Sequence, residues 1–287
     1  MSTPEPGIYE DIPFDVYASW DAMNNSLLKA AIRPDGAISM AHMREAMTTP
    51  KKPSTTSMRF GSLVHTCALE PQEILARYVV IPESLTEGCL TKAGKVSVNP
   101  KGTADYRERL ATFAAANPDR DLVEPAEHAR MQGTLYSLAQ NPLAARLLRE
   151  EGPTELSLVW LDEATGVPLK RRIDKLGCEL KTTADLSMFP KQILRYGYHM
   201  AAALEVDGWA ALTGNVYEPR WVVVESAAPF CVQVAPVGCA TLNLGRKTYR
   251  DILQRYCQAK NTDIWPGPDN PLEFDVPAWA TNDPLIS

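Results

Sequence analysis

Residues 154–183 constrain the fold of this chain more than any other stretch. They read TELSLVWLDEATGVPLKRRIDKLGCELKTT, three strand-length runs in succession. Residues 155–161 form the first run and 162–166 its turn; 167–173 form the second and 178–182 the third. Leu176-Gly177 closes the last two into a hairpin. In that register Lys175 faces Cys178 and Asp174 faces Glu179. Directly opposed residues project to one face, and a non-hydrogen-bonded pair sets its Cα atoms about 4.5 Å apart. Lys181 lies two residues beyond Glu179 and shares that face. The spacing therefore predicts Asp174, Glu179 and Lys181 as one cluster.

Two carboxylates and an amine so placed suit phosphodiester chemistry. The carboxylates can hold a hard divalent cation, Mg²⁺ or Mn²⁺, with water and a phosphate completing the shell. Such an ion polarises the phosphoryl oxygen and acidifies a bound water. Lys181 would orient or deprotonate that water, or stabilise the developing charge. The same spacing also fits a solvated charged hairpin.

The rest of the chain supplies helices and two further strands. Helices are predicted over 25–32, capped by Asn24 or Asn25, and over 37–47, with a loop at 48–57. A buried helix over 63–69 follows Gly61-Ser62, with Ser62 as its cap. Residues 84–103 read as an exposed loop. Helices are expected over 104–115 and 126–150, the second broken at Asn141-Pro142. Another spans 187–206, with Pro190 in its first turn and Gly208 as its stop. Strands at 220–225 and 231–234 precede a long helix over 242–260. This order predicts a mixed α/β (α+β) fold with one central sheet flanked by helices. An N-terminal helical arm, 1–57, would precede a main domain, 58–287.

Composition narrows the function classes. No apolar run approaches the ~18 residues of a membrane span, and the acidic N-terminus lacks a basic-then-apolar leader, so a cytoplasmic protein without membrane contact is expected. Cysteines 67, 89, 178, 231, 239 and 257 form no Cys-x-x-Cys and predict buried free thiols rather than disulfides or a zinc site. A net charge of −6 excludes a uniformly basic coat but allows a local groove for DNA. Lys170, Arg171, Arg172 and Lys175 flank the acids. Lys191 and Arg195 lie one helical turn apart, and Tyr198 extends their face. These residues read as a DNA-binding surface.

Several segments, in order, resemble the RecE-type exonucleases, a phage and prophage branch of the PDDEXK nuclease superfamily. They are GSLVHTCALEP at 61–71, TELSLVWLDEATGVPLKRRIDKL at 154–176, ELKTTAD at 179–185, YGYHMAAAL at 196–204, and Trp265-Pro266 and 277–279 in the tail. The resemblance implies a restriction-endonuclease-like core. It makes Asp174 and Glu179 metal-binding acids, Lys181 the active-site lysine, His65 a further metal ligand and Glu155 an accessory acid. It implies an exonuclease on linear double-stranded DNA ends that digests 5′ to 3′ and leaves a 3′ strand for a RecT-type annealing protein. It also implies a homo-oligomer. The chain departs from the family at Ala201 and Glu205, where a Gln and a Tyr are usual, and in a shorter link between Asp174 and Glu179. Those departures suit two alternatives: a non-catalytic relative that binds DNA or a recombination partner, or a PDDEXK nuclease with a single-strand or structure-specific substrate.

Overall fold

The computed structural model describes residues 3–50, 53–150 and 152–268. The chain begins with strand β1 (Gly7–Tyr9) and helices α1 (Phe14–Ser19), α2 (Asn25–Ala30), α3 (Met40–Thr48) and α4 (Thr56–Leu69). Then come α5 (Ile74–Arg77), β2 (Tyr78–Val80), α6 (Ala104–Ala115), β3 (Asp121–Val123), α7 (Pro125–Gln140) and α8 (Pro142–Arg149). The central run is β4 (Thr154–Leu161), β5 (Pro168–Lys175) and β6 (Cys178–Thr183). Helices α9 (Phe189–Arg195) and α10 (Tyr198–Thr213), strands β7 (Arg220–Glu225) and β8 (Val232–Pro236), and helix α11 (Cys239–Thr262) complete it.

The strands form one six-stranded mixed sheet in the order β1-β4-β5-β6-β7-β8, and β2 and β3 pair separately. All neighbours in the large sheet run antiparallel except β6 and β7, which run parallel with Glu179 beside Trp221 and Lys181 beside Val223. A parallel pair needs a crossover, and α9–α10 supplies it. Helices cover both faces, as expected for a mixed α/β sandwich. On one face α10 and α11, with α2 and α3, bury Leu158, Trp160 and Leu169 against Met200, Leu204 and Ile252. On the other, α4, α7 and α8 bury Cys178, Leu180, Val222 and Val224 against Phe60, Val64 and Leu138. Leu180 and Val222 are fully enclosed, each burial contributing about 1.5–3 kcal/mol.

Residues 7–48 are tied into this sheet. Strand β1 forms its edge against β4, and Met23 bridges to Leu169. Met23, Leu28, Met40 and Met43 belong to the same core as Leu158 and Trp160. Trp265 meets the Tyr256 ring edge-to-face, with ring centroids 6.0 Å apart; the expected 277–279 motif lies outside the described residues.

Several boundaries differ from expectation. Helix α4 starts two turns before Ser62: Thr55 is its cap, accepting the Met58 N–H at 3.2 Å, while the Ser62 hydroxyl donates back to the Met58 carbonyl. The helix expected over 187–206 is two helices, because Gly197 adopts φ 71°, a left-handed conformation that interrupts the ladder. Gly208 does not stop α10; it sits inside it, where a Cβ would lie 2.7 Å from the Trp160 ring. The glycine admits a neighbour instead of ending a helix. Asn141 does break α7 from α8, accepting the Ala144 N–H at 3.0 Å. Cys67, Cys89 and Cys178 are buried free thiols, whereas Cys231 and Cys239 are exposed.

Candidate active site

The β5–β6 turn has the expected register, with Lys175 opposite Cys178 across Leu176-Gly177. Gly177 takes φ 76°, which the tight turn requires and a side chain would resist. Beyond that pair β5 and β6 part, opening a wedge between them, while β6 is paired with β7 along its other edge from Cys178 onward. The candidate residues stand in and around this wedge.

The wedge divides the expected cluster. Asp174 turns toward α4: its Oδ2 accepts the Leu180 N–H at 3.1 Å and lies 3.4 Å from His65 Nδ1. Glu179 faces the α9–α10 side with its neighbour Trp221, while Leu180 between Glu179 and Lys181 packs into the opposite core. Glu179 Oε1 receives Arg171 Nη2 at 2.5 Å and Lys181 Nζ at 2.7 Å; Oε2 receives Trp221 Nε1 at 3.3 Å. The single shared face expected for Asp174 and Glu179 is thus replaced by two adjoining half-sites. The reason is that the β5–β6 pairing ends at Lys175 and Cys178, so Asp174 and Glu179 are not held opposite each other.

Electrostatics bind the halves. Burial opposes charge on Glu179, but Lys181 and Arg171 outweigh it and hold the carboxyl well below the usual range. Burial likewise opposes charge on Lys181, yet Glu179 and Asp174 raise it above an ordinary lysine. Lys181 is therefore a cation at neutral pH, suited to stabilising developing negative charge rather than to taking a proton. Its Nζ lies 5.2 Å from the Tyr198 ring centroid, a further stabilisation of the cation. Glu155, in a left-handed kink of β4 at φ 54°, pairs with Arg172 at 2.6 Å. Burial raises its pKa and nearby Asp174 adds to the rise.

Asp174, Glu179 and His65 are the donor types that a hard cation takes. Their arrangement does not yet fit one: among the described residues, no three His, Cys, Asp or Glu side chains are grouped closely enough to hold a metal ion. Both oxygens of Glu179 are already engaged by protein donors.

The basic residues of β5, expected on a DNA surface, are engaged within the protein. Lys170 donates to the carbonyls of Tyr17 at 2.9 Å and Trp20 at 2.7 Å, closing the end of α1. Lys175, also buried, donates to the Leu148 and Glu150 carbonyls at the end of α8. Arg171 is held by Glu179, and Arg172 by Glu155 and the Ile12 carbonyl. A buried cation must be paired, and these four are paired inside the protein. Lys191 and Arg195 are exposed on α9. Arg195 lies over the Tyr196 ring, whose centroid is 5.6 Å from that of Tyr198. That face leads from the surface toward Lys181.

Sequence reasoning missed Trp221 and Tyr217, and read Glu205 only as a departure. Glu205 is 2% exposed on α10; its Oε1 accepts the Tyr217 hydroxyl at 2.7 Å and its Oε2 lies 3.6 Å from Arg171 Nη2. Burial lifts its carboxyl to about 7, despite Arg171. A signal existed: Glu205 is the lone charge within the apolar run Met200–Val206, where an unpaired carboxylate would be costly. Ala201 and His199 are buried, and His199 Nδ1 lies 3.1 Å from the Ile193 carbonyl.

Comparison with known proteins accords with this fold. The family described as a PDDEXK-like domain of unknown function (DUF3799) matches residues 25–271. The structure is similar to the crystal structure of a "putative exonuclease" from Eubacterium rectale, with a TM-score of 0.51 and 12% identity, covering 96% of this chain and 100% of that one. At that identity the likeness concerns the fold. No curated protein matches the sequence.

Proposed function

This chain belongs to the PDDEXK-like family that matches residues 25–271, and from that membership we propose an exodeoxyribonuclease acting on linear double-stranded DNA ends. The reading includes a requirement for Mg²⁺ or Mn²⁺, digestion 5′ to 3′, and a 3′ single strand as product. The observation that carries it is the Lys181–Glu179 contact at 2.7 Å on β6, beside Asp174 across the β5–β6 turn. Lys181 would stabilise charge on the reacting phosphate, with Asp174 and His65 at its side. Lys191, Arg195 and Tyr198 would guide the strand, giving salt-dependent binding. A RecT-type annealing protein would receive the product strand, and a homo-oligomer would hold the duplex; both are analogies with the resembling family.

End-labelled linear duplex, incubated with Mg²⁺ or Mn²⁺ beside circular and single-stranded DNA, tests this. Loss of label from linear duplex alone, abolished by Asp174→Asn or Lys181→Ala, is the expected result. Cleavage of circles or of single strands instead would replace it with a structure-specific or single-strand nuclease. A second reading, a non-catalytic DNA- or partner-binding relative, draws on the engagement of both Glu179 oxygens. It predicts DNA binding with no cleavage in either metal.

A further inference from the structure

Among the described residues, four glycines stand inside α-helices: Gly61 in α4, Gly133 in α7, Gly208 in α10 and Gly245 in α11. Packing accounts for three of them. A Cβ at Gly133 would overlap the Phe230 ring, one at Gly208 the Trp160 ring, and one at Gly245 the His199 carbonyl. Gly61 differs. Beyond its own helix, a Cβ there would meet only Thr182 Oγ1, at 3.5 Å, an ordinary van der Waals distance. Glycine weakens a helix relative to alanine, so a helical position that has room for a methyl group and lacks one calls for another reason.

The surroundings supply that reason. His65 follows Gly61 by one turn of α4, so the two share a face, and His65 Nδ1 lies 3.4 Å from Asp174 Oδ2. Thr182 follows Lys181 on β6 and turns its hydroxyl toward Gly61. Both Gly61 and Thr182 are half-buried, so the step they form is open to solvent. Among the described residues the Thr182 hydroxyl has no hydrogen-bond partner, which leaves a donor free at that step.

We propose that Gly61 and Thr182 form a seat for the sugar–phosphate backbone of one DNA strand, beside Asp174 and His65: the missing side chain lets the strand lie close against α4, and the Thr182 hydroxyl donates to a phosphate oxygen. The proposal rests on the reading of the protein as an enzyme that acts on DNA and deepens it by placing a contact with the substrate. Glycine is the residue that lets a ligand approach a backbone closely. Hydroxyl contacts to phosphate fix the position of a strand without reading its bases, so the seat carries no sequence preference.

The test measures DNA affinity and stability on the same full-chain proteins. Affinity for a labelled linear duplex is read by fluorescence anisotropy in EDTA, where no strand is cut, and stability by urea unfolding. Gly61→Ala should weaken binding about fivefold or more, as an extra methyl group in a filled contact does. Its unfolding midpoint should hold or rise, because alanine favours the helix. Thr182→Val keeps the shape and the strand preference but loses the donor, and should weaken binding about fivefold. Neither change removes a charge, so each loss should be the same at low and high salt, unlike the loss of a lysine that neutralises a phosphate. Wild-type affinity in Gly61→Ala overturns the seat and leaves the DNA reading intact. A lowered unfolding midpoint in Gly61→Ala also overturns it, since the glycine would then serve packing. Wild-type affinity in Thr182→Val alone overturns the hydroxyl contact and leaves the clearance at Gly61. A wild type that does not bind the duplex overturns the DNA reading and the seat together.

Discussion

Replacing Glu205 with glutamine removes a buried proton site, and the consequence for stability can be worked out with its sign. Burial is the main cause that lifts this carboxyl from 4.5 to about 7, with Arg171 opposing and Glu179 reinforcing the rise. In the unfolded chain the group ionises near its ordinary value, so between pH 4.5 and 7 the folded state holds more protons. Stability then falls with rising pH across that window, and the contribution is flat above it. The difference, 7 minus 4.5, corresponds to about 3 kcal/mol at roughly 1.4 kcal/mol per unit. Glutamine has no proton to lose, so the variant lacks this slope. Relative to their difference at pH 4.5, Glu205→Gln should be the more stable protein by about 3 kcal/mol at pH 8. Urea unfolding at half-unit intervals, followed by tryptophan fluorescence, measures both curves. The quantity to compare is the change in stability between pH 4.5 and 7. If the wild type and the variant show the same change, Glu205 is ionised in the folded protein and the reasoning fails.

Other positions offer sharper structural checks. Gly245→Ala should cost about 3 kcal/mol or more and Gly208→Ala about 1–3 kcal/mol in denaturant unfolding, because the added Cβ would lie 2.1 Å from the His199 carbonyl oxygen and 2.7 Å from the Trp160 ring, respectively. Lys175→Met should lower stability by about 1–3 kcal/mol by freeing the Leu148 and Glu150 carbonyls, while leaving the salt dependence of DNA binding unchanged. Lys191→Ala should do the reverse, reducing the slope of log affinity against log salt by about 0.9; a reduced slope in Lys175→Met would restore that lysine to the DNA surface.

Local signals made much of this fold legible. The alternation in residues 154–183, the turn at Gly177 and the break at Asn141-Pro142 are written in neighbouring residues, and the structure bears them out. Strand β7 and helix α6 match their expected bounds. What the sequence concealed depends on partners far along the chain. Lys170 and Lys175 look like groove cations until α1 and α8 bring their terminal carbonyls to them, from 150 and 25 residues away. Gly208 looks like a terminator until Trp160 is seen against it. The same limit applies at the site. The hairpin register is local and legible, but the parting of β5 and β6 beyond Cys178, which turns Asp174 and Glu179 apart, is not. Glu205 and Trp221 join Glu179 only through the crossover.

That parallel pairing has a consequence for how the protein assembles. Strands β4, β5 and β6 follow one another through short turns, so their contacts close small loops and can form early. Strand β7 must wait until α9 and α10 have folded back over the sheet, a longer loop closure. Contact order alone thus predicts that the Asp174 side of the wedge forms with the local hairpin and that Glu179 acquires its Trp221 and Glu205 surroundings afterwards. Until that step the two lobes of the site exist at different times on the folding path, and substitutions in β7 should slow completion of the site without disturbing the hairpin that begins it.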